Sequence, residues 1–137
     1  MEQEEGTVVL SLPGGAIRGT RRGAMRAFLG LPYGERSQPG RRSSDLRPVA
    51  SWQRERDATR RAAVFPQGRS RLASIMGTGI EALAQSEDAF FLNVWSPADA
   101  ASLPVFVFIH GGGFMSGGGS APWYDGARLA QDGNIVV

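Results

Sequence analysis

The chain has 137 residues, which is enough for one domain with a modest hydrophobic core. Its 15 basic residues, all arginine, oppose 13 acidic residues for a net charge of +2, and it has no cysteine, which excludes a disulfide framework and a thiolate metal site. The acidic start lacks the basic and apolar regions of a secretory signal, and no apolar run is long enough to cross a bilayer, so we predict a cytoplasmic protein without a membrane partner.

The first third of the chain has the pattern of short strands separated by turns. Residues 1–5 are acidic and predict a disordered start, followed by one domain over residues 6–137. Residues 7–12 and 16–19 predict two strands around Pro13-Gly14-Gly15, which is a strong turn signal. Residues 25–32 predict a third strand. We therefore expect a small antiparallel sheet at the start of the fold.

An arginine-rich segment follows this predicted sheet. Residues 37–71 are polar and weakly periodic, which predicts an irregular excursion that Trp52 and Phe65 attach to the core. All but one of the 15 arginines lie between Arg18 and Arg71. Such a stretch can neutralise phosphates, but no aromatic platform or reader motif accompanies it. We therefore interpret it as a solvated, salt-bridged face and predict no nucleic-acid partner.

The middle of the chain gives weaker signals. Residues 70–84 predict a loose helix, although Gly77 and Gly79 favour a flexible loop. Residues 90–95 predict a strand that ends at Ser96-Pro97.

The last third of the chain carries the strongest strand signal. Residues 105–109 are apolar at every position, which predicts a central strand of a parallel sheet buried between helices. Asp125 is placed to cap a short helix over residues 126–131, which Asp132-Gly133 would stop. Residues 135–137 predict the beginning of another apolar strand.

A glycine loop, His110-Gly111-Gly112-Gly113, follows the strongest predicted strand. Glycines adopt positive φ and allow close approach of a ligand to the backbone, so adjacent N–H groups can bind an oxyanion. A phosphate-binding loop of the G-x-x-x-x-G-K-[ST] type is excluded because the chain has no lysine, and a dinucleotide fingerprint fails because Ser116 replaces its third glycine. A purely structural turn remains an alternative.

Several blocks in register resemble the type-B carboxylesterases, the family that includes the cholinesterases. The strand and His-Gly-Gly-Gly loop resemble the oxyanion-hole element of lipases and esterases. The other matching blocks occur in the family's order: FLGLPY at 28–33, SED at 86–88, LNVW at 92–95 and YDG at 124–126. The resemblance spans residues 6–137 and implies the N-terminal portion of an α/β-hydrolase: a small antiparallel sheet plus the first strands of a central, mostly parallel sheet, in an incomplete fold.

The resemblance also implies roles for the glycine loop. Gly112 and Gly113 would supply two N–H donors of the oxyanion hole, Gly111 would shape the turn, and His110 would order the loop. His110 is the only histidine, but in this fold the catalytic histidine comes last in the chain, after the serine and the acid. No serine fits G-x-S-x-G; the nearest, Ser120, is followed by Ala-Pro. We therefore predict that the chain alone is inactive.

Glu87 and Asp88 are a possible catalytic carboxylate pair from their spacing alone. The resemblance implies instead that Glu87 forms a structural salt bridge with Arg42. It also places Ala89 and Phe65 where many relatives have cysteine, which agrees with a cytoplasmic location.

The function implied is hydrolysis of a carboxylic ester through an acyl-enzyme on serine, with no cofactor and no metal. The partners implied are a small ester substrate in the intact enzyme and the missing C-terminal part of the fold. A non-catalytic cholinesterase-like binding module or a pseudogene remnant is the alternative, and an arginine-rich nucleic-acid binder is a weaker one. Phe114 and Trp123 either line the substrate gorge or belong to the core.

Overall fold

The structure, a computed structural model, describes residues 5–36, 38, 43–69, 73–76 and 79–137. Its regular elements, in chain order, are β1 (Glu5–Leu12), β2 (Gly15–Arg22), β3 (Met25–Pro32), β4 (Glu35–Arg36), β5 (Leu46–Arg47), β6 (Arg56–Asp57), α1 (Ala73–Met76), β7 (Phe91–Pro97), a 3₁₀ turn (Pro122–Tyr124) and α2 (Ala127–Gly133). None of the helices among these described residues is both long and apolar enough to span a membrane.

The predicted antiparallel sheet is confirmed. β1, β2, β3 and β7 pair in that order, each antiparallel to its neighbour, and β6 pairs in parallel with β2. β1 and β2 are longer than predicted, and β3 has the predicted bounds. Glu5, which we expected in a disordered start, begins β1 opposite Arg22. The side chain of Trp52 covers the β1–β2 turn and donates from Nε1 to the Ala16 carbonyl at 2.8 Å. Trp52 therefore attaches the irregular segment to the sheet, as its sequence predicts.

The pairing of β3 with β7 is interrupted by a bulge between Phe28 and Leu31. Gly30 has φ +70° there, a conformation that a side chain resists, and an added Cβ would lie 2.9 Å from the Arg60 carbonyl oxygen. Asn93 on β7 accepts the Gly30 N–H at 2.9 Å, so the bulge keeps a hydrogen-bond partner.

Two small hydrophobic clusters form the core of the described part of the chain. The first lies on the sheet and contains Ile17, Phe28 and Ala58, with Trp52 among the partly buried residues around it. The second contains the buried residues Val64, Ile80 and Ala121, together with Leu83, Trp123 and Tyr124. Trp123 therefore packs against this second cluster.

Residues 105–109 pair in parallel as predicted, but the prediction that they are buried between helices is wrong. The segment forms a single parallel bridge, Val105 to Val136, and its side chains are exposed: 76% for Val107 and 85% for Ile109. Its apolar composition suits it to burial, but no other part of the described chain covers its two faces. Burial of such a strand depends on neighbours in other parts of a sheet and its helices.

Residues 135–137 join the antiparallel sheet to the segment 104–106. Val137 and Trp95 of β7 exchange two backbone hydrogen bonds of 2.9 Å, the antiparallel arrangement. On the other side, Val136 donates to the Pro104 carbonyl and accepts from Phe106 N–H, the parallel arrangement. The change from antiparallel to parallel pairing therefore occurs at residues 136 and 137.

The helix near the end of the chain differs from its prediction at both ends. The N-cap of α2 is Gly126, and the helix begins at Ala127. Asp125, which precedes the N-cap, accepts the Ala127 N–H with its carboxylate at 2.9 Å. It continues through Asp132 and Gly133, because the residue that stops it is Asn134, in the left-handed conformation with φ 48°. Asparagine tolerates this conformation better than most side chains.

Candidate active site

The loop from His110 to Gly117 closes on itself as a tight turn. The N–H groups of Met115 and Ser116 both point to the Gly112 carbonyl, at 3.1 and 3.2 Å. Four of its residues have positive φ: Gly112 (133°), Gly113 (62°), Phe114 (58°) and Gly117 (113°). Three of the four are glycines, which adopt positive φ without the strain that a Cβ brings, and Phe114 is the one residue with a side chain in this conformation.

Two of these glycines are also required by close contacts. A Cβ on Gly112 would overlap the Ser116 carbonyl oxygen, and one on Gly117 would overlap the Gly111 carbonyl oxygen and lie 2.6 Å from His110 Nδ1. A Cβ on Gly113 would meet nothing within 4 Å. The start and the end of the loop are therefore in direct contact, whereas Gly113 faces open space.

The N–H groups of Gly112 and Gly113 are available to a ligand. Both residues are exposed, and within the described ranges neither N–H donates to a protein acceptor. Gly112 and Gly113 have φ values of 133° and 62°, and adjacent N–H donors in a turn can bind an anion. The two glycines selected from the sequence thus carry free donors in the structure.

His110 lies at the start of this turn. Its Nδ1 is 2.8 Å from the Gly111 carbonyl oxygen, a hydrogen bond when Nδ1 carries the proton. The same ring borders Gly117. His110 is thus close to both ends of the loop, at Gly111 and at Gly117.

Two amide side chains hold the far end of the loop, and sequence reasoning missed both. Gln67 Oε1 accepts the Gly117 N–H at 2.7 Å, and Gln67 Nε2 donates to the Gly117 carbonyl at 2.9 Å. Asn93 Nδ2 donates to the Gly119 carbonyl at 2.9 Å. The signal in the sequence was a polar amide inside otherwise apolar or turn-forming blocks, at Pro66-Gln67 and at Leu92-Asn93-Val94.

The end of the loop also rests on the second hydrophobic cluster. A Cβ on Gly118 would lie 2.5 Å from Val64 Cγ1, so only glycine allows this approach. Ser120, two positions on, is 4% exposed, and this burial agrees with rejecting it as a nucleophile. Arg61 donates to the Ser120 and Ala121 carbonyls at 3.4 and 3.3 Å and pairs with Asp125 at 3.0 Å.

A wide, mostly apolar groove of about 890 Å³ opens beside the loop. Its walls include Trp95 of β7, Phe106 and Phe108 of the exposed segment, Phe114 of the loop, and Tyr124. The rings of Phe108 and Tyr124 lie 5.0 Å apart, centroid to centroid. Gly112 and Gly113 lie between two residues that line this groove, His110 and Phe114. An apolar groove with N–H donors in the adjoining loop fits a ligand with a hydrocarbon part and one polar oxygen.

The predicted Glu87–Arg42 salt bridge involves Arg42, which lies outside the described residues. In the described part, Arg36 is the arginine next to this acidic pair. Its Nε donates to the Glu87 carbonyl at 3.2 Å and lies 3.5 Å from Asp88 Oδ1, and its guanidinium covers the Phe90 ring at 4.9 Å. This arrangement is structural, because the arginine side chain is only 11% exposed.

The arginine-rich segment supports its interpretation as a salt-bridged face. Carboxylates pair with several of the arginines between Arg18 and Arg71, namely Arg18, Arg22, Arg36, Arg47 and Arg61, of which the last two lie in this segment. Among the described residues, no cluster of three or more histidine, aspartate or glutamate side chains is arranged to hold a metal ion.

Comparison with curated proteins identifies similar esterases. The chain is 38% identical over 125 residues to the fumonisin B1 esterase of Sphingopyxis macrogoltabida, covering 90% of this chain and 22% of that protein. It is 37% identical over 124 residues to the para-nitrobenzyl esterase of Bacillus subtilis (strain 168), covering 90% of this chain and 25% of that protein. The chain thus spans about a quarter of the length of these relatives.

Solved structures agree with this similarity. A PNB esterase structure matches all of this chain and 27% of its own, with a TM-score of 0.79 and 32% identity. The carboxylesterase EST55 of Geobacillus stearothermophilus matches 94% of this chain and 25% of its own, with a TM-score of 0.76 and 36% identity. These neighbours confirm the predicted α/β-hydrolase class. The model of the carboxylesterase family matches residues 6–137, and the chain therefore belongs to that family.

Proposed function

We propose that this chain supplies the oxyanion-binding loop of a serine carboxylesterase whose nucleophile, acid and base lie outside these 137 residues. The observation that carries the proposal is the pair of free N–H groups on Gly112 and Gly113, in a loop whose flanking residues His110 and Phe114 line an apolar groove, in a chain of the carboxylesterase family. The apolar groove suits the hydrocarbon part of an ester.

The loop would act on the charge that develops during acyl transfer. When a serine hydroxyl attacks an ester carbonyl, the carbonyl oxygen becomes an oxyanion, and two fixed N–H donors stabilise it more than they stabilise the neutral ester. The turn at 112–116 fixes these donors before the substrate arrives, so little reorganisation accompanies the reaction. Each donor of this kind contributes roughly 3 kcal/mol to transition-state stabilisation.

The covalent steps need residues that this sequence does not contain. It has no G-x-S-x-G, and its single histidine belongs to the glycine loop. In the proposed mechanism, a serine forms the acyl-enzyme, a histidine oriented by an acid moves the protons, and water releases the acid product. No cofactor or metal takes part in these steps, and the 137-residue chain by itself would be inactive.

A chimera tests the proposal with the loop in a whole enzyme. Residues 6–137 would replace the matching quarter of the Bacillus subtilis para-nitrobenzyl esterase, and turnover of p-nitrophenyl acetate would be measured for the chimera and for the 137-residue chain. We expect turnover with an acyl-enzyme burst from the chimera and none from the chain. A chimera that melts cooperatively like its parent yet has no activity would contradict the proposal, as would a burst from the chain alone.

A further inference from the structure

We propose that Gln67 is a positioning residue for the oxyanion loop: its side-chain amide holds Gly117, and through Gly117 it fixes the N–H groups of Gly112 and Gly113. This inference rests on the proposed function of the loop. It assigns a role to a side chain 50 residues away in sequence, in the irregular segment before β7.

The amide of Gln67 binds both polar groups of one residue. It accepts the Gly117 N–H at 2.7 Å and donates to the Gly117 carbonyl at 2.9 Å, so the two bonds fix the position and the orientation of that residue. The Gly111 carbonyl oxygen and the His110 ring approach Gly117 so closely that a Cβ there would overlap the carbonyl oxygen and lie 2.6 Å from His110 Nδ1. A displacement of Gly117 therefore changes the packing of the residues that directly precede the two free donors.

Gln67 is itself held in place by a second pair of hydrogen bonds. Its N–H donates to Gln85 Oε1 at 3.0 Å, and Gln85 Nε2 donates to the Gln67 carbonyl at 3.3 Å. Gln85 forms a parallel bridge with Val64, a member of the second hydrophobic cluster. The amide is thus connected to a packed part of the fold and can act as a fixed support.

The chemistry of this position requires an amide. Gln67 Nε2 donates to the Phe65 carbonyl at 3.0 Å as well as to Gly117, while Oε1 accepts from Gly117. Both N–H donors are therefore used. An ionised glutamate has no donor and would place its charge against two carbonyl oxygens, whereas a protonated glutamate regains one donor. A Gln67→Glu change therefore makes the support dependent on pH.

The test compares Gln67→Glu with the unchanged chimera across the pH range of the enzyme. Because a displacement of about 1 Å in catalytic geometry costs on the order of 10²-fold in rate, we expect kcat relative to the unchanged chimera to fall by about that factor as the new carboxyl ionises, with KM unchanged. Gln67→Met, which has a similar length and no donor, should lose kcat equally at every pH. The exposed Gln53→Glu is the matched charge control and should keep a constant ratio.

Hydrogen exchange of the Gly117 amide separates this inference from the proposed function. In the folded chimera, Gln67→Glu at neutral pH and Gln67→Met should both remove protection of this amide, whether or not the chimera is active. An inactive unchanged chimera with a protected Gly117 amide would overturn the proposed function and leave the support in place. Unchanged protection in the variants, or a kcat for Gln67→Glu at neutral pH equal to that of the unchanged chimera, would overturn the role of Gln67.

Discussion

At the scale of single residues, Gly112 and Gly113 differ in what a methyl group would meet. A Cβ on Gly112 overlaps the Ser116 carbonyl oxygen, whereas one on Gly113 meets nothing within 4 Å. We expect Gly112→Ala to open the turn and lower kcat of the chimera by about 10²–10³-fold, the cost of a lost oxyanion donor. Gly113 has φ near 62°. We expect Gly113→Ala to lower the free energy of unfolding by roughly 1–2 kcal/mol, the strain of an alanine in the left-handed conformation, and to lower kcat less than Gly112→Ala does. Equal effects of the two changes on kcat would contradict this account of the loop.

Asp57, at the end of β6, is a carboxylate whose hydrogen bonds favour its ionised form. Its carboxylate accepts hydrogen bonds from the Thr59 hydroxyl at 2.7 Å and the Thr59 N–H at 3.0 Å. These bonds, followed by the charge of Arg18, hold the pKa of Asp57 below its ordinary value of 3.8. A group whose pKa is lower in the folded state contributes its full stabilisation above the unfolded pKa, and the contribution disappears as the pH falls through the folded pKa.

The Asp57→Asn change tests this dependence. Asparagine keeps the acceptor oxygen but does not ionise in this range. We therefore expect that, as the pH is lowered below about 4, the melting temperature of the variant falls less steeply than that of the unchanged chimera. The measurement is a series of thermal melts in acid. Asp99→Asn, in an exposed turn, is the matched control, and the same slope in all three proteins would contradict the assignment.

At the scale of elements, the second hydrophobic cluster supports the loop. Ile80 is 3% exposed beside Val64, and its Cδ1 would lie 3.8 Å from a Cβ on Gly118. We expect Ile80→Ala to lower the free energy of unfolding by about 2–5 kcal/mol and Ile80→Val by about 0.5–1.5 kcal/mol, because each leaves a cavity of different size. Urea unfolding of the chimera measures both. Equal losses would show that Ile80 is not packed in this way.

The elements also differ in how far their sequence predicts them. The β1–β2 hairpin was predictable because its turn residues and strand pattern lie next to each other in the chain. The glycine loop was predictable because positive φ is a property of single residues. The exposure of residues 105–109 was not predictable, because an apolar pattern indicates that a strand can be buried but does not indicate whether other residues cover it. The Gln67–Gly117 contact was not, because it joins residues 50 positions apart.

At the scale of the whole molecule, the exposed apolar surface predicts association. Phe106, Val107, Phe108 and Ile109 are 47–85% exposed in one continuous segment. At the opposite edge of the sheet, β1 carries the exposed Val9. An apolar strand segment with unpaired backbone groups promotes pairing with other chains. We expect the 137-residue chain alone to self-associate and to bind a dye that reports apolar surface, measured by sedimentation and fluorescence. A monodisperse monomer with a cooperative melt would contradict this.

The most direct test of the central claim is the intact mass of the native protein, measured together with the sequence of its reading frame past codon 137. We predict a product heavier than the 14.6 kDa of these residues, whose sequence continues into a strand, then G-x-S-x-G, and later an acid and a histidine in that order. A native mass of 14.6 kDa with a stop codon after Val137 would contradict the claim. The free N–H groups of Gly112 and Gly113 would then face no nucleophile.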